Sequence, residues 1–226
     1  MALRGARSGV PGLPNVLSLG CLGLGFLAAL AAGRGDAEQC VRLLALAALA
    51  DALAGRAAQG LRQGTLLGAE LDSLASMVVW GVAAALLAYN RGLEDLGFLG
   101  FFEPGFIAVV AAWRLCRGDL QNGRSYYEGL PISVAGLILV ASCALGISAY
   151  GLAVLAALLA VLQLAPLRYP RYGISWLWML PVFVSVAVAA LGWRPGWILP
   201  LFTAVAYALA GPWLGRPVVG TSQRAL

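Results

Sequence analysis

The sequence predicts an all-α membrane protein, a polytopic bundle of about eight transmembrane helices. Three observations support this prediction. Apolar residues make up 61% of the 226 residues, charged residues make up only 11%, and long apolar stretches recur between short breaks that carry arginine. Because a soluble domain carries about 25% charged residues, the composition excludes a soluble enzyme.

Eight apolar segments follow one another along the chain, each near the ~20 residues that cross a bilayer core. They cover residues 14–32, 41–59, 66–89, 97–116, 131–149, 151–165, 174–192 and 196–213. We therefore expect a single transmembrane domain over residues 13–213. A cytoplasmic N-terminal tail at 1–12 and a cytoplasmic C-terminal tail at 214–226 would flank it.

The distribution of arginine predicts how these segments are oriented. All 15 basic residues are arginine, and with the N-terminus in the cytoplasm eleven of them face the cytoplasm and four face away. This asymmetry satisfies the positive-inside rule, and an even number of spans places both termini in the cytoplasm. The loops after the second, fourth and sixth segments carry the charge, so we expect chemistry on that side. In a eukaryotic cell the membrane would be that of the endoplasmic reticulum.

Several classes of chemistry are excluded by residues that the chain lacks. It has no histidine, which removes histidine as a general base, metal ligand or phosphate carrier. Its four cysteines show no C-x-x-C spacing and are expected to be buried free thiols. The net charge of +5 comes without a basic run interleaved with aromatics, which favours an anionic membrane surface or a phosphate substrate over nucleic acid.

Two aspartates lie inside apolar segments, where a carboxylate costs roughly 2.5–3.5 kcal/mol. Helical spacing gives each one a face that it shares with small residues: Asp51 with Ala54, Gly55 and Ala58, and Asp72 with Gly68 and Ser76. The short connection between the two segments makes their helices antiparallel neighbours, so the facing carboxylates would form a site for a hard cation. From spacing alone an alternative stays open, a pair of buried acids neutralised by Arg56 and Arg62.

The region 51–76 resembles the signature of the CDP-alcohol phosphatidyltransferase family. The family pattern is D-x-x-D-G-x-x-A-R, about eight residues, then G-x-x-x-D-x-x-x-D, and the spacing in this chain is the same. Five positions match the pattern: Asp51, Gly55, Ala58, Gly68 and Asp72. Three positions depart from it: Ala54, Gln59 and Ser76.

Flanking motifs resemble the bacterial-type phosphatidylserine synthase branch of that family. In chain order they are L-P-N-x-x-S at 13–18, G-A-E-L-D-S-L-A at 68–75, R-L-C-R at 114–117, G-L-P-I at 129–132 and R-Y-P at 168–170. Each motif is short, but their order and spacing over residues 13–170 make the resemblance specific.

The resemblance implies a cytoplasm-facing cavity that binds CDP-diacylglycerol, and a homodimer. In the family, four aspartates hold divalent cations against the pyrophosphate, and the last is proposed to deprotonate an acceptor alcohol, with CMP as the leaving group. By analogy the metal ligands of this chain are Asp51 and Asp72. The implied nucleotide or phosphate contacts are Gly55, Ala58, Gly68, Arg114 and Arg117.

The three departures predict that the chemistry is impaired. Ala54 removes one metal-binding carboxylate, and Gln59 replaces a cation with a neutral amide. Ser76 removes a second carboxylate and the candidate base, a loss that often costs about 10²–10⁴ in rate. Because the two remaining carboxylates neutralise only one divalent ion, we expect at most one weakly bound Mg²⁺ or Mn²⁺ and no catalytic residue.

The sequence thus predicts a catalytically impaired or inactive homologue of phosphatidylserine synthase that keeps a cavity for lipid or nucleotide. Two alternatives stay open. The chain could be an active CDP-alcohol phosphatidyltransferase with a rebuilt metal site, or a transporter or structural membrane protein that shares the fold.

Overall fold

The computed structural model describes residues 12–60, 66–119, 126–170 and 176–214. This part of the chain forms eight long helices: α1 Leu13–Gly33, α2 Ala37–Gly60, α3 66–90, α4 Phe98–Asp119, α5 Ile132–Leu145, α6 Ala149–Leu164, α7 Trp176–Ala190 and α8 Ile198–Leu214. Short 3₁₀ turns at Leu93–Leu96 and Arg194–Trp197 precede α4 and α8. The prediction of an all-α bundle is confirmed. Arg62 and the predicted tails lie outside the described residues, except for residues 12 and 214.

Four helical stretches are long and apolar enough to cross a bilayer, namely Leu13–Gly33, Leu67–Asn90, Phe98–Gly118 and Arg194–Leu214. The apolar helices α5 and α6 are shorter, and α2 is 24 residues long but carries four charged side chains. Large apolar side chains are widely exposed on the outer faces, most densely near the start of α4. Because such a surface is rare on a soluble monomer, it fits contact with lipid.

The core is centred on α3, and glycines let the neighbouring helices approach it closely. A Cβ atom built on Gly25 of α1 would lie 2.7 Å from Val79 Cγ2, and one built on Gly81 would lie 3.2 Å from the Cβ of Ala111 on α4. Close backbone approach at small residues is how membrane helices gain packing contacts without a hydrophobic driving force. The four cysteines are free, as predicted; three are buried and Cys116 is exposed.

Helix α3 changes its winding in the middle. It is α-helical over Leu66–Ser76, π-helical over Met77–Ala83 and α-helical again over Ala84–Asn90. π-Helical segments are rare and occur frequently at functional sites. Here the π-helical segment begins directly after Ser76, one turn beyond Asp72 on the same helix.

A two-stranded antiparallel sheet joins the loop after α4 to the loop after α6. Strand β1, Tyr126–Glu128, pairs with β2, Arg168–Pro170. Two tyrosines connect this sheet to α8: the hydroxyl of Tyr169 donates to the carbonyl of Ala208 at 3.1 Å, and that of Tyr207 donates to the carbonyl of Pro170 at 2.9 Å. The sequence motifs do not predict this sheet, because its pairing joins residues some forty positions apart.

An ion-pair cluster closes the other end of the bundle. Glu38 lies thirteen residues before Asp51 on α2, about 20 Å away along the helix axis and ahead of the apolar run. Its Oε1 accepts from Arg91 at 2.6 Å and also from Arg194. The hydrogen bond from Arg91, reinforced by the one from Arg194, holds the pKa of Glu38 below its ordinary value. The cluster ties α2 to the loops that precede α4 and α8.

Candidate functional site

Asp51 of α2 and Asp72 of α3 line one cavity, as the sequence predicts. The cavity has a volume of about 210 Å³ and lies among α2, α3, α4, β1 and the start of α5. Among the described residues, its other polar side chains are one arginine and four hydroxyl groups: Arg114, Ser73, Ser76, Tyr127 and Ser133. The cavity therefore combines two carboxylates with one guanidinium group and several neutral hydrogen-bonding groups.

Asp51 is held by a residue from the next helix. The indole Nε1 of Trp80 donates to Oδ2 of Asp51 at 3.4 Å. Trp80 is only 3% exposed and belongs to the π-helical segment of α3. The spacing of Asp72, Ser76 and Trp80 is four residues each, which places all three on one side of α3. This spacing was the signal by which sequence reasoning could have found Trp80.

Arg114 is the basic group of the cavity. It is 5% exposed, its Nε donates to the carbonyl of Leu130 at 3.1 Å, and its guanidinium carbon lies 5.2 Å from the ring centroid of Tyr127. Gly118 lies one turn further along α4, and a Cβ built there would be 2.9 Å from Nη1 of Arg114. The backbone of Leu130, the ring of Tyr127 and the bare α-carbon of Gly118 together fix the guanidinium beside the cavity.

Arg117 has a different environment. It is not among the residues that line the cavity. Its Nη1 donates to the carbonyl of Leu164 at 3.0 Å, and its Nη2 donates to the carbonyls of Glu128 at 3.0 Å and Gln163 at 3.1 Å. The structure thus separates the two arginines that the sequence grouped as phosphate contacts: Arg114 lies at the cavity, and Arg117 joins the end of α6 to β1.

The positions that depart from the family pattern also differ in placement. Ser76 is buried and lines the cavity at the position of the family base. Ala54 is 2% exposed and is not among the lining residues. The side chain of Gln59 lies outside the described residues. The small residues Gly55, Ala58 and Gly68 do not line the cavity either, although Ala69, the neighbour of Gly68, does.

Sequence reasoning missed Tyr127 and Ser133 as cavity residues. They lie just before and just after the G-L-P-I motif at 129–132, so the motif marked the right segment but not its functional side chains. Pro131 is the N-cap of α5 and supplies no side-chain acceptor for the first N–H groups of that helix. Pro131 and Ile132 also line the cavity, so the start of α5 forms part of its wall.

The cavity residues fit one hydrated divalent cation. Asp51 and Asp72 supply hard oxygen ligands, the Ser76 hydroxyl is a weak additional ligand, and the volume leaves room for water to complete the shell. Within the described ranges, no three acidic, cysteine or histidine side chains come together as a metal site. A pair of divalent ions needs more negative charge than these two carboxylates provide, so the residues do not fit a two-metal centre.

Comparison with known proteins agrees with this arrangement. The sequence profile of the CDP-alcohol phosphatidyltransferase family matches residues 12–210. The CDP-diacylglycerol–serine O-phosphatidyltransferase of Methanocaldococcus jannaschii is 33% identical over 153 residues, which cover 66% of this chain and 72% of that protein. The enzyme of the same name from Helicobacter pylori strain 26695 is 27% identical over 187 residues, 77% of this chain and 78% of that protein.

A third relative is the archaetidylserine synthase of Methanothermobacter thermautotrophicus, 29% identical over 165 residues that cover 70% of each chain. The profile match spans nearly all of the eight helices, including both cavity aspartates. The aligned regions cover 70–78% of these relatives, two of which are named as CDP-diacylglycerol–serine O-phosphatidyltransferases and one as an archaetidylserine synthase. The chain therefore belongs to the CDP-alcohol phosphatidyltransferase family, as an integral membrane protein that resembles the phosphatidylserine synthases of phospholipid biosynthesis.

Proposed function

We propose that this chain is a homologue of phosphatidylserine synthase that keeps the cavity for a CDP-activated lipid but has lost most or all of the phosphatidyl-transfer activity. One observation carries the proposal. Of the four positions where the family has aspartate, two in this chain have no carboxylate, Ala54 and Ser76, and Ser76 lines the cavity itself.

Binding of the pyrophosphate is the part of the function that the remaining residues support. Arg114 is a fixed, buried cation beside the cavity, and guanidinium groups form strong charge-assisted hydrogen bonds with phosphate oxygens. The uncapped N–H groups at the start of α5 add a favourable electrostatic contribution for an anion. Asp51 and Asp72 would hold one Mg²⁺ or Mn²⁺, which when bound neutralises part of the pyrophosphate charge.

Activation of the acceptor alcohol is the part that the chain has lost. The serine hydroxyl at position 76 cannot take a proton near pH 7, so the acceptor keeps its proton at the position where the family has its base. Among the described lining residues, the only carboxylates are Asp51 and Asp72, and both are assigned to the cation. Loss of a general base costs about 10²–10⁴ in rate, and loss of the second cation adds to that cost.

An active enzyme with a rebuilt one-metal site is the second candidate. It is favoured by the fact that Asp51, Asp72 and Arg114 still share one cavity. In that case Asp72 would serve as ligand and base together, and the acceptor would be an alcohol more acidic than serine. For either candidate we infer a cytoplasm-facing cavity and cytoplasmic termini from the arginine distribution. The homodimer that the family implies stays a prediction.

The test is release of CMP from CDP-diacylglycerol by the purified full chain with Mn²⁺, with serine and other alcohols as acceptors. We expect the wild type to release no CMP above background, while CDP-diacylglycerol still raises its apparent Tm. The variant that combines Ala54→Asp, Gln59→Arg and Ser76→Asp restores the family pattern and should release CMP. Metal must be present during purification, because added buried carboxylates destabilise the metal-free protein.

The matched control combines Ala54→Asp and Gln59→Arg with Ser73→Asp in place of Ser76→Asp. It carries the same added charges, but one carboxylate lies about one helical turn away from the position of the family base. We expect no CMP release from this control. Robust turnover by the wild type would overturn the impaired-enzyme proposal in favour of the second candidate. No effect of CDP-diacylglycerol on the apparent Tm would show that the cavity no longer binds this lipid.

A further inference from the structure

Trp80 is a buried indole whose polar atom has one specific partner. The side chain is 3% exposed, and Nε1 donates to Oδ2 of Asp51 at 3.4 Å. Trp80 also lines a small, mostly apolar second cavity with Ile107, Ala111 and Leu139, while its N–H group reaches the aspartate of the polar cavity. A buried indole N–H without an acceptor is costly, so this hydrogen bond defines the orientation of both residues.

The surrounding helices leave the indole little freedom. A Cβ atom built on Gly136 of α5 would lie 2.6 Å from Cε3 and 2.8 Å from Cβ of Trp80. Only glycine therefore permits the observed position of the ring against α5. The π-helical winding of Met77–Ala83 fixes the backbone from which the side chain projects. Trp80 thus presents its N–H group from a packed, rigid position, which is what a group that orients a ligand requires.

We propose that Trp80 is the positioning residue for Asp51: its indole N–H holds one carboxylate oxygen, so that Asp51 offers a cation a single, oriented oxygen. The inference rests on the proposed residual cation site. The indole N–H would hold the carboxylate group of Asp51 in one orientation, with Oδ1 free of that hydrogen bond. With two carboxylates among the described lining residues, the orientation of each one should strongly affect how tightly a cation binds.

Trp80→Phe tests the proposal, because it keeps an aromatic ring in the packed space and removes the N–H group together with part of the indole volume. Loss of an outer hydrogen bond to a metal ligand typically weakens metal binding about 10–100-fold. We expect Mn²⁺ binding by Trp80→Phe to be at least about tenfold weaker than that of the wild type, measured by electron paramagnetic resonance titration of the full chain in detergent. The apparent Tm should decrease, because the smaller ring leaves a void in the core. Trp197→Phe, which removes the same atoms from another buried indole, is the matched control and should bind Mn²⁺ like the wild type.

A second measurement reports on the hydrogen bond without any cation. The chain has seven tryptophans, and the indole ¹H–¹⁵N signal of Trp80 is the one that disappears in Trp80→Phe. Asp51→Asn replaces the charged acceptor with a neutral one and should shift that signal alone, and Mn²⁺ should broaden it in the wild type. Asp72→Asn should abolish the broadening without the same shift in the metal-free protein.

The outcomes separate this inference from the proposed function. The positioning role would be overturned if Trp80→Phe bound Mn²⁺ with wild-type affinity. It would also be overturned if Asp51→Asn left the chemical shift of the Trp80 indole signal unchanged. If the wild type binds no Mn²⁺, the residual cation site is wrong, and the indole signal alone then decides: a shift on Asp51→Asn supports the orienting hydrogen bond, and no shift overturns it.

Discussion

Replacement of Arg117 by methionine distinguishes a structural arginine from a ligand-binding one. The change keeps an unbranched side chain of similar length and removes the guanidinium, so the carbonyls of Leu164, Glu128 and Gln163 lose donors that lie 3.0–3.1 Å away. Hydrogen bonds to a charged group contribute about 1.5–3 kcal/mol each when buried, and less where water replaces them. One of the three is exposed and two are partly buried. We therefore expect a loss of about 3 kcal/mol in stability.

For a chain of this length, that loss corresponds to a decrease in Tm of roughly 6–12 °C. The assay is thermal unfolding of the purified protein in detergent, followed by tryptophan fluorescence at one scan rate, because membrane proteins often unfold irreversibly. Arg168→Met is the matched control: Arg168 belongs to the same sheet but is exposed, and its guanidinium carbon lies 4.9 Å from the ring centroid of Tyr126. Its Tm should change by no more than about 2 °C.

Ligand binding should respond differently to the loss of each arginine of the R-L-C-R motif. Arg114→Met should abolish stabilisation by CDP-diacylglycerol, because Arg114 lines the cavity. Arg117→Met should have a lower Tm than the wild type, but CDP-diacylglycerol should still raise that Tm. An unchanged Tm in Arg117→Met together with lost lipid binding would refute the structural role and restore the phosphate contact that the sequence resemblance implies.

Three further predictions follow from other parts of the structure. Gly129 has φ +82°, and a Cβ there would lie 2.1 Å from a carbonyl oxygen of α6. Gly129→Ala should therefore lower the free energy of unfolding by about 3 kcal/mol. Gly35→Ala, at φ +77° with open space around it, should lower it by about 1 kcal/mol in the same assay. Because the pKa of Glu38 is lowered in the folded state, its contribution to stability is present above its unfolded pKa and is lost as pH falls through the folded pKa. The Tm of the wild type should decrease over that acidic range more than the Tm of Glu38→Gln. Cysteines introduced as Leu3→Cys and Ser222→Cys should both react with an impermeant thiol reagent from the cytoplasmic side only; labelling of either from the opposite side would contradict the predicted orientation.

Most helix boundaries were predictable, because a long apolar run in a membrane protein begins and ends close to where its helix does. The first run, 14–32, corresponds to Leu13–Gly33, and the third, 66–89, corresponds to 66–90. The fifth run, predicted over 131–149, is longer than the helix that the structure shows. Helix α5 ends at Leu145 because Gly146 adopts φ +80°, a left-handed conformation that terminates the helix. Hydropathy alone does not register such an end, since the residues beyond it are still apolar.

The pairing of the two aspartates was also predictable, because it depends on local geometry. Asp51 lies near the end of α2 and Asp72 near the start of α3, so the short connection places both at the same end of the bundle, where they line one cavity. The fold class, the family and the acidic half of the cavity thus follow from composition, segment length and motif spacing. What spacing did not predict is that Ala54, at a family metal position on the same face of α2 as Asp51, lies outside the cavity lining.

Residue types and spacings of a few residues were sufficient to predict the membrane-embedded helical bundle, the family and the loss of two acidic positions. They did not predict that Arg114 faces the cavity while Arg117, three residues later, joins α6 to β1. They also did not predict that Trp80, on the next helix, donates a hydrogen bond to Asp51. The physical reason is the same in both cases: the partners lie eleven to forty-seven positions away in the chain, and they meet through strand pairing and helix packing that local periodicity does not encode.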